Sequence, residues 1–191
     1  MASQLRDHYR WMARYNAWFN GRLYDACEGL DDAARKLDRG AFFGSIHRTL
    51  NHLIVADQIW LRRLRQCGIE HGFDCQALQQ DVLDLPAGHA LDAPVFDDWA
   101  QLRAKRRQLD DAICLWLAEM PESLPGFQMH YSNTKGVQRQ HPVWQALSHF
   151  FNHQTHHRGQ AHSLVSQAAG NAAAPSLDLI LYQRETGIGL S

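Results

Sequence analysis

Histidine is the residue type whose number and spacing stand out in this chain. There are 12 among 191 residues, and His149, His153, His156, His157 and His162 crowd into one short stretch. A neutral imidazole is a common ligand for a divalent transition metal. Two of them four residues apart on a helix lie about 40° apart and roughly 6 Å along the axis, close enough to share one ion. With Val143 as zero on a helical wheel, Leu147, Phe150, Ala161, Leu164, Val165 and Ala168 fall within about 60° and define the core-facing stripe. His157 then stands at about 320°, inside the stripe, and His153 at about 280°, on its edge, whereas His149 and His156, at about 240° and 220°, point away. The candidate pair is therefore His153 and His157, with His156 outside it. Spacing alone leaves two readings of such a pair, a metal site or core histidines satisfied by hydrogen bonds. Gln154 stands where a zinc protease of the HExxH type carries its glutamate base, which excludes that chemistry. A third ligand must come from another element. His52 is the best-placed candidate, although its position on the flank of an apolar stripe suits a hydrogen-bonded core histidine nearly as well.

The elements that must position these residues are helices. Leu5, Tyr9, Met12, Phe19 and Leu23 recur at three- and four-residue steps and predict a first helix over 4–28. A second spans 44–64, with Ser45 as N-cap and a stripe of Ile46, Leu50, Leu53, Trp60, Leu61 and Leu64. Between Cys67 and Val95 the periodicity fades amid Gly68, Gly72, Pro86, Gly88 and Pro94, so this is a long connection, with room for a short helix over 76–83. Asp97 or Asp98 caps a third helix carrying Trp99, Leu102, Leu109, Ile113, Trp116 and Met120, which stops at Pro121. From Pro125 to His141 the chain reads as an irregular loop or a short hairpin around Asn133 to Gly136, and as a candidate pocket wall. Pro142 suits the first turn of a fourth long helix, which ends at Gly170. The expected fold is all-α: one domain over residues 1–191, an antiparallel-type four-helix bundle whose long connections leave room for crossovers, with a short C-terminal extension.

Composition narrows the classes. With 19 basic and 20 acidic side chains the formal net charge is -1, so there is no electrostatic footprint for a nucleic-acid partner. Charges recur every few residues from the amino terminus onward, which argues against a secretory signal, and no stretch reaches the roughly 18 apolar residues of a membrane span. Cys27, Cys67, Cys75 and Cys114 form no CxxC pair and are read as reduced thiols, in keeping with a cytoplasmic protein. The aromatic supply of the first helix, with the tail cluster Leu177, Leu179, Ile180, Leu181 and Tyr182, exceeds what one bundle readily covers and predicts a homodimer.

The segments SIHRTLNHLIVADQIWL (45–61) and HFFNHQTHHRGQAHSL (149–164) resemble the DinB/YfiT-like family of metalloenzymes. The opening YNAWFNGRLYDA (15–26) and the tail PSLDLILYQRE (175–185) are similar to it too, so the likeness spans nearly the whole chain. The resemblance implies a four-helix bundle with a three-histidine metal site, one ligand from the second long helix and two from the HxxxH pair on the last, which here are His52, His153 and His157. Three protein ligands leave a coordination position for water or substrate, the pattern of a catalytic metal site. One divalent ion per chain is expected, zinc first, with nickel or iron as alternatives. Relatives include thiol-dependent S-transferases and isomerases, so the resemblance implies a small-molecule substrate, activated water or a low-molecular-weight thiol, and hydrolysis or S-transfer. The alternative is a non-catalytic metal-binding stress-response protein.

Other polar residues are read against the same frame. Asp57, at about 20° on the second helix amid its apolar stripe, needs a partner, either a ligand imidazole or an arginine such as Arg106 or Arg158, with the arginine favoured. His47 is a surface or network residue, and Gly159 is read as permitting close helix approach. His130, Tyr131 and Asn133 are in the irregular loop, from which they could face the open metal position. Trp11, Trp18 and Phe19 are core or interface aromatics.

Overall fold

The computed structural model describes residues 2–86 and 88–188. Helix α1 spans Ala2–Glu28, α2 Asp32–Lys36, α3 Ile46–Glu70, α4 Trp99–Glu119, α5 Val143–Ala169 and α6 Leu179–Thr186. A hairpin of β1 (Gln128–Ser132) and β2 (Gln138–Pro142) precedes α5. The caps are those the sequence marks: the Ser45 hydroxyl accepts from the Arg48 amide and the Asp98 carboxylate from the Gln101 amide, satisfying end donors that have no partner inside a helix. The short helix expected over 76–83 is only a 3-10 turn at Gln76–Leu78. Helix α2 was not foreseen: Asp31 caps it through the Ala34 amide, but five residues are too few to show periodicity.

The four long helices form a bundle in which α1 packs on α4 and α5, and α3 on α5 and α4. Residue pairings give the directions. Arg10 meets Leu117 while Trp99 meets Glu28, so α1 and α4 are antiparallel. His52 lies against His153 and Trp60 against His149, so α3 and α5 are antiparallel too. Tyr9 bonds Ser148 and Asn16 bonds Arg158, so α1 and α5 run parallel. Asp57 meets Arg106 and, just past α3, Phe73 meets Trp116, so α3 and α4 also run parallel. The bundle thus has two antiparallel and two parallel neighbours, the form with a long crossover connection that the sequence left open. The long 71–98 connection is the physical reason: after α3 the chain must return along the bundle before α4 can descend beside it. It turns back tightly at Gly68, where any Cβ would stand 2.7 Å from the Phe73 carbonyl oxygen.

One apolar cluster runs through all four helices, from Leu23 and Leu50 to Leu109 and Leu147. A polar network crosses it. Arg106 bonds Asp57 at 2.6 Å and lies 3.0 Å from the Asp110 carboxylate, which accepts from Asn16 at 3.2 Å and Asn20 at 2.8 Å. Gln154 donates to Asp57, and Arg158 donates to Asn16 while stacking 4.2 Å over Phe19. Asp57 therefore takes the arginine partner. Burial pushes Asp57 up, and Asp110 up to about 6, against the pull of Arg106. Two arginines against two aspartates keep the buried charge balanced, the condition under which such a cluster is tolerated.

The hairpin around Asn133 is present. The Asn133 side chain accepts from the Lys135 and Val137 amides, and Gly136 takes the positive φ of 75° that the turn requires. The tail folds back onto the first helix. Leu177 and Tyr182 are buried, and Tyr182 packs against Tyr15 and Trp18, so much of the apolar surplus attributed to that cluster is covered within the chain. Gly159 is exposed, with open space where a Cβ would stand, so close helix approach does not explain it. No helix among the described residues is long and apolar enough to cross a membrane.

Candidate metal centre

Because α3 and α5 run antiparallel in contact, the second turn of α3 faces the middle of α5. His52 of α3 thereby meets His153 and His157, one turn apart on α5. One ring nitrogen from each of the three lies within 4.8 Å of the others. The Nε2 atoms of His52 and His153 are 3.3 Å apart. That separation suits a metal, since two nitrogens held about 2.05 Å from one tetrahedral ion stand about 3.3 Å from each other. His52 and His157 are buried and His153 is half-buried.

Two of the imidazoles have their orientation set by an acceptor on the far nitrogen. His52 Nδ1 donates to the Leu91 carbonyl at 2.8 Å, and His157 Nδ1 donates to Gln160 Oε1 at 2.8 Å. In each ring Nδ1 carries the proton, which leaves the lone pair on Nε2. The same connection is tied to α3 on either side: Arg48 donates to the Asp92 carbonyl at 3.2 Å, and Asn51, next to His52, accepts from the Val95 and Phe96 amides at 2.9 Å and donates to the Phe96 carbonyl at 3.0 Å. Phe43 stacks on His52 with ring centroids 4.0 Å apart and meets His157 edge-on at 5.4 Å. Burial holds all three imidazoles below the usual histidine range. For His153, burial and the neighbouring His157, His52, His149 and His156 bring the value down to about 3. The rings are thus neutral at pH 7, the form that can ligate.

A cavity of about 560 Å³ opens beside the centre, bordered by His52, Phe42, Phe43, Arg48 and Leu91. Its wall therefore comes from the turn before α3 and from the 71–98 connection, rather than from the 125–141 segment expected from sequence. That hairpin packs elsewhere. Tyr131 lies against Trp60 at 5.5 Å and donates its hydroxyl to His141 at 3.2 Å, Asn133 is spent on the turn, and His130 is exposed. Tyr131 reaches the centre only through a row of rings, Trp60 to His149 at 4.8 Å and His149 to His153 at 5.7 Å. His156 is exposed, as the wheel requires, and shares Gln160 with His157 through a 3.3 Å contact. His47 is buried beside Asn51, which removes the surface reading and leaves the network one.

Asn51, Leu91, Phe43 and Gln160 were missed by sequence reasoning. Only Gln160 carried a local signal, since a residue three after a histidine on a helix lies beside it. Replacing Gln160 with Leu is expected to lower cobalt or zinc affinity between about 10- and 100-fold, as loss of such an orienting partner does. Gln160→Glu keeps an acceptor and should retain binding. Equal titrations for wild type and Gln160→Leu would remove the role.

Comparisons with known proteins found no match among curated proteins and none among solved structures. The family model of the DinB family matches residues 1–188. That match covers the helices and the three convergent histidines alike, and on it the chain belongs to the DinB family.

Proposed function

We propose that this chain is a metal-dependent enzyme in which His52, His153 and His157 hold one divalent ion. The observation that carries the reading is the convergence of three neutral imidazole nitrogens, from two helices, on one point within 4.8 Å. Zinc ranks first and nickel or iron next; neutral imidazoles suit all three, and elemental analysis decides among them. When bound, such an ion supplies Lewis acidity that lowers the pKa of a water or thiol sharing it, the chemistry of hydrolysis or S-transfer.

The chain's own residues do the rest. The Leu91 carbonyl and Gln160 fix the protons on Nδ1 of two rings, and Phe43 covers one face of His52 and keeps water from it. The adjoining cavity has room for a small-molecule substrate, which favours an enzyme over a purely metal-binding stress protein. The four cysteines are free thiols, and on that ground we place the activity in the cytoplasm.

The test is elemental analysis of protein purified without a nickel column, followed by assays of hydrolysis and of thiol transfer with and without chelator. About one ion per chain, and an activity lost on chelation and restored by the metal, is the expected result. A chain that takes up no zinc, nickel or iron would overturn the reading. The homodimer is a further proposal, resting on Trp144 and Ile180, which are exposed large apolar side chains of α5 and α6. Light scattering that shows only a 21.8 kDa species would remove it.

A further inference from the structure

Phe42 is 83% exposed, more than any other large apolar side chain described. It stands at the tip of a turn with little freedom to move. The Gly44 amide donates to the Ala41 carbonyl at 2.8 Å and the Arg39 amide to the Gly44 carbonyl at 2.8 Å. Gly40 and Gly44 take positive φ values of 70° and 77°, open to glycine and strained for other residues. The turn is also anchored inward, because Phe43 stacks on His52 and Phe42 sits edge-on to Phe43 at 4.8 Å. Leu91, 41% exposed, borders the same cavity, and its carbonyl accepts the hydrogen bond from His52 Nδ1. Two exposed apolar side chains thus flank one cavity of about 560 Å³, each attached by its own backbone or neighbour to a histidine of the centre. That volume is within the usual range for a small-molecule site, and burying scattered exposed apolar groups on a ligand is how such sites gain affinity.

The geometry points to a substrate class: a small molecule with an aromatic or branched apolar group that lodges between Phe42 and Leu91, its polar head directed toward His52, the histidine of the centre that borders the cavity. This rests on the metal-enzyme reading for the head group, but the apolar contact needs only the cavity. Arg48 also borders the cavity. It bonds the Asp92 carbonyl at 3.2 Å and has no carboxylate within salt-bridge distance among the described residues, so it is available at the rim for a polar substituent.

The test uses two probes that differ only in their apolar part, acetohydroxamate and benzohydroxamate. They are titrated into the cobalt-loaded chain and followed by its visible spectrum. They are also titrated into the metal-free chain, followed by the methyl resonances of Leu91. Benzohydroxamate should bind the cobalt chain about tenfold more tightly than acetohydroxamate, and Phe42→Ala should reduce that ratio to within about twofold of one. The exposed ring is not part of the core, so the variant folds. In the metal-free chain the Leu91 methyls should shift with benzohydroxamate and not with acetohydroxamate. A preference for the phenyl probe that survives Phe42→Ala, or Leu91 methyls indifferent to that probe, would overturn the inference. A chain that binds no cobalt would instead overturn the metal-enzyme reading, and the Leu91 shifts would still decide the apolar contact.

Discussion

Alanine at His52, His153 or His157 is expected to leave the purified chain without stoichiometric metal, whereas alanine at His156 should leave about one ion per chain. The contrast between His156 and His157 is the informative one, because the two are adjacent and their ring centroids are 4.6 Å apart. Neighbours on a helix point about 100° apart, so only one can join His153 at a shared ion. His157 is buried, with Nδ1 bonded to Gln160, while His156 is exposed and takes its hydrogen bond from the other end of that amide. An empty His156→Ala chain beside a full His157→Ala chain would show that a different face of α5 holds the metal. His47→Ala should keep its metal too, but His47 is buried and its loss should lower the melting temperature.

The same centre sets an acid limit. In the metal-free chain all three imidazoles have folded pKa values below 6.5, with burial as the first cause, and His153 lies at about 3. The folded chain therefore binds fewer protons than the unfolded one across that interval. The stability these rings contribute is present above about 6.5 and is lost as pH falls toward 3. Melting temperature should drop between pH 7 and pH 4, and less steeply in His153→Ala. Metal should shift the drop to lower pH, since a proton must then displace the ion. A flat profile in the metal-free wild type would contradict the assignment.

The second large effect concerns the core. Asp57→Ala should destabilise the chain by roughly 3 to 5 kcal/mol, the usual cost of removing one partner from a buried ion pair. Asp57 and Arg106 are both almost fully buried, 2.6 Å apart, and the Gln154 amide also loses its acceptor. What remains for Arg106 is Asp110, 3.0 Å away and already shared with Asn16 and Asn20. Urea denaturation measures the effect directly, and a loss under about 1 kcal/mol would mean that Asp110 alone neutralises the guanidinium. Because Asp57 and Gln154 join α3 and α5 beside His52 and His153, the variant should also bind metal more weakly than wild type. Metal content near normal in a folded, destabilised chain would separate the two roles.

Much of this was legible in the residues. The period of the apolar positions marks the four long helices, Ser45 and Asp98 mark their starts, and the wheel angle of His157 inside its stripe separates it from His156. These depend on neighbours within a turn or two, where local geometry is decided. His52 was legible only with the help of family resemblance, because its wheel position allowed a core histidine. The directions of the helices were not legible, since nothing local distinguishes a connection that reverses the chain from one that returns it alongside. Nor was the cavity wall, because Phe43 and Leu91 belong to segments without periodicity whose placement is fixed by Asn51 and by two glycines. The hairpin was anticipated as an element and misplaced as a wall, since a turn signal says how a chain bends and not what it leans against.

The parallel packing of α1 on α5 also bears on how the chain assembles as it leaves the ribosome. Tyr9 bonds Ser148 and Asn16 bonds Arg158, so the first helix, which meets α4 earlier, must wait for its second partner until well over a hundred residues downstream. Contacts of such sequence separation carry a large loop-closure cost before they return any stabilisation, and they slow folding relative to a bundle whose neighbours follow one another. Until then the apolar faces of α1 and α3 that α5 will cover are exposed together in a growing polypeptide, a state open to aggregation or to chaperones. Two of the three imidazoles arrive on that same late helix, so the proposed ion could not guide the early stages and would only lock a bundle already closed.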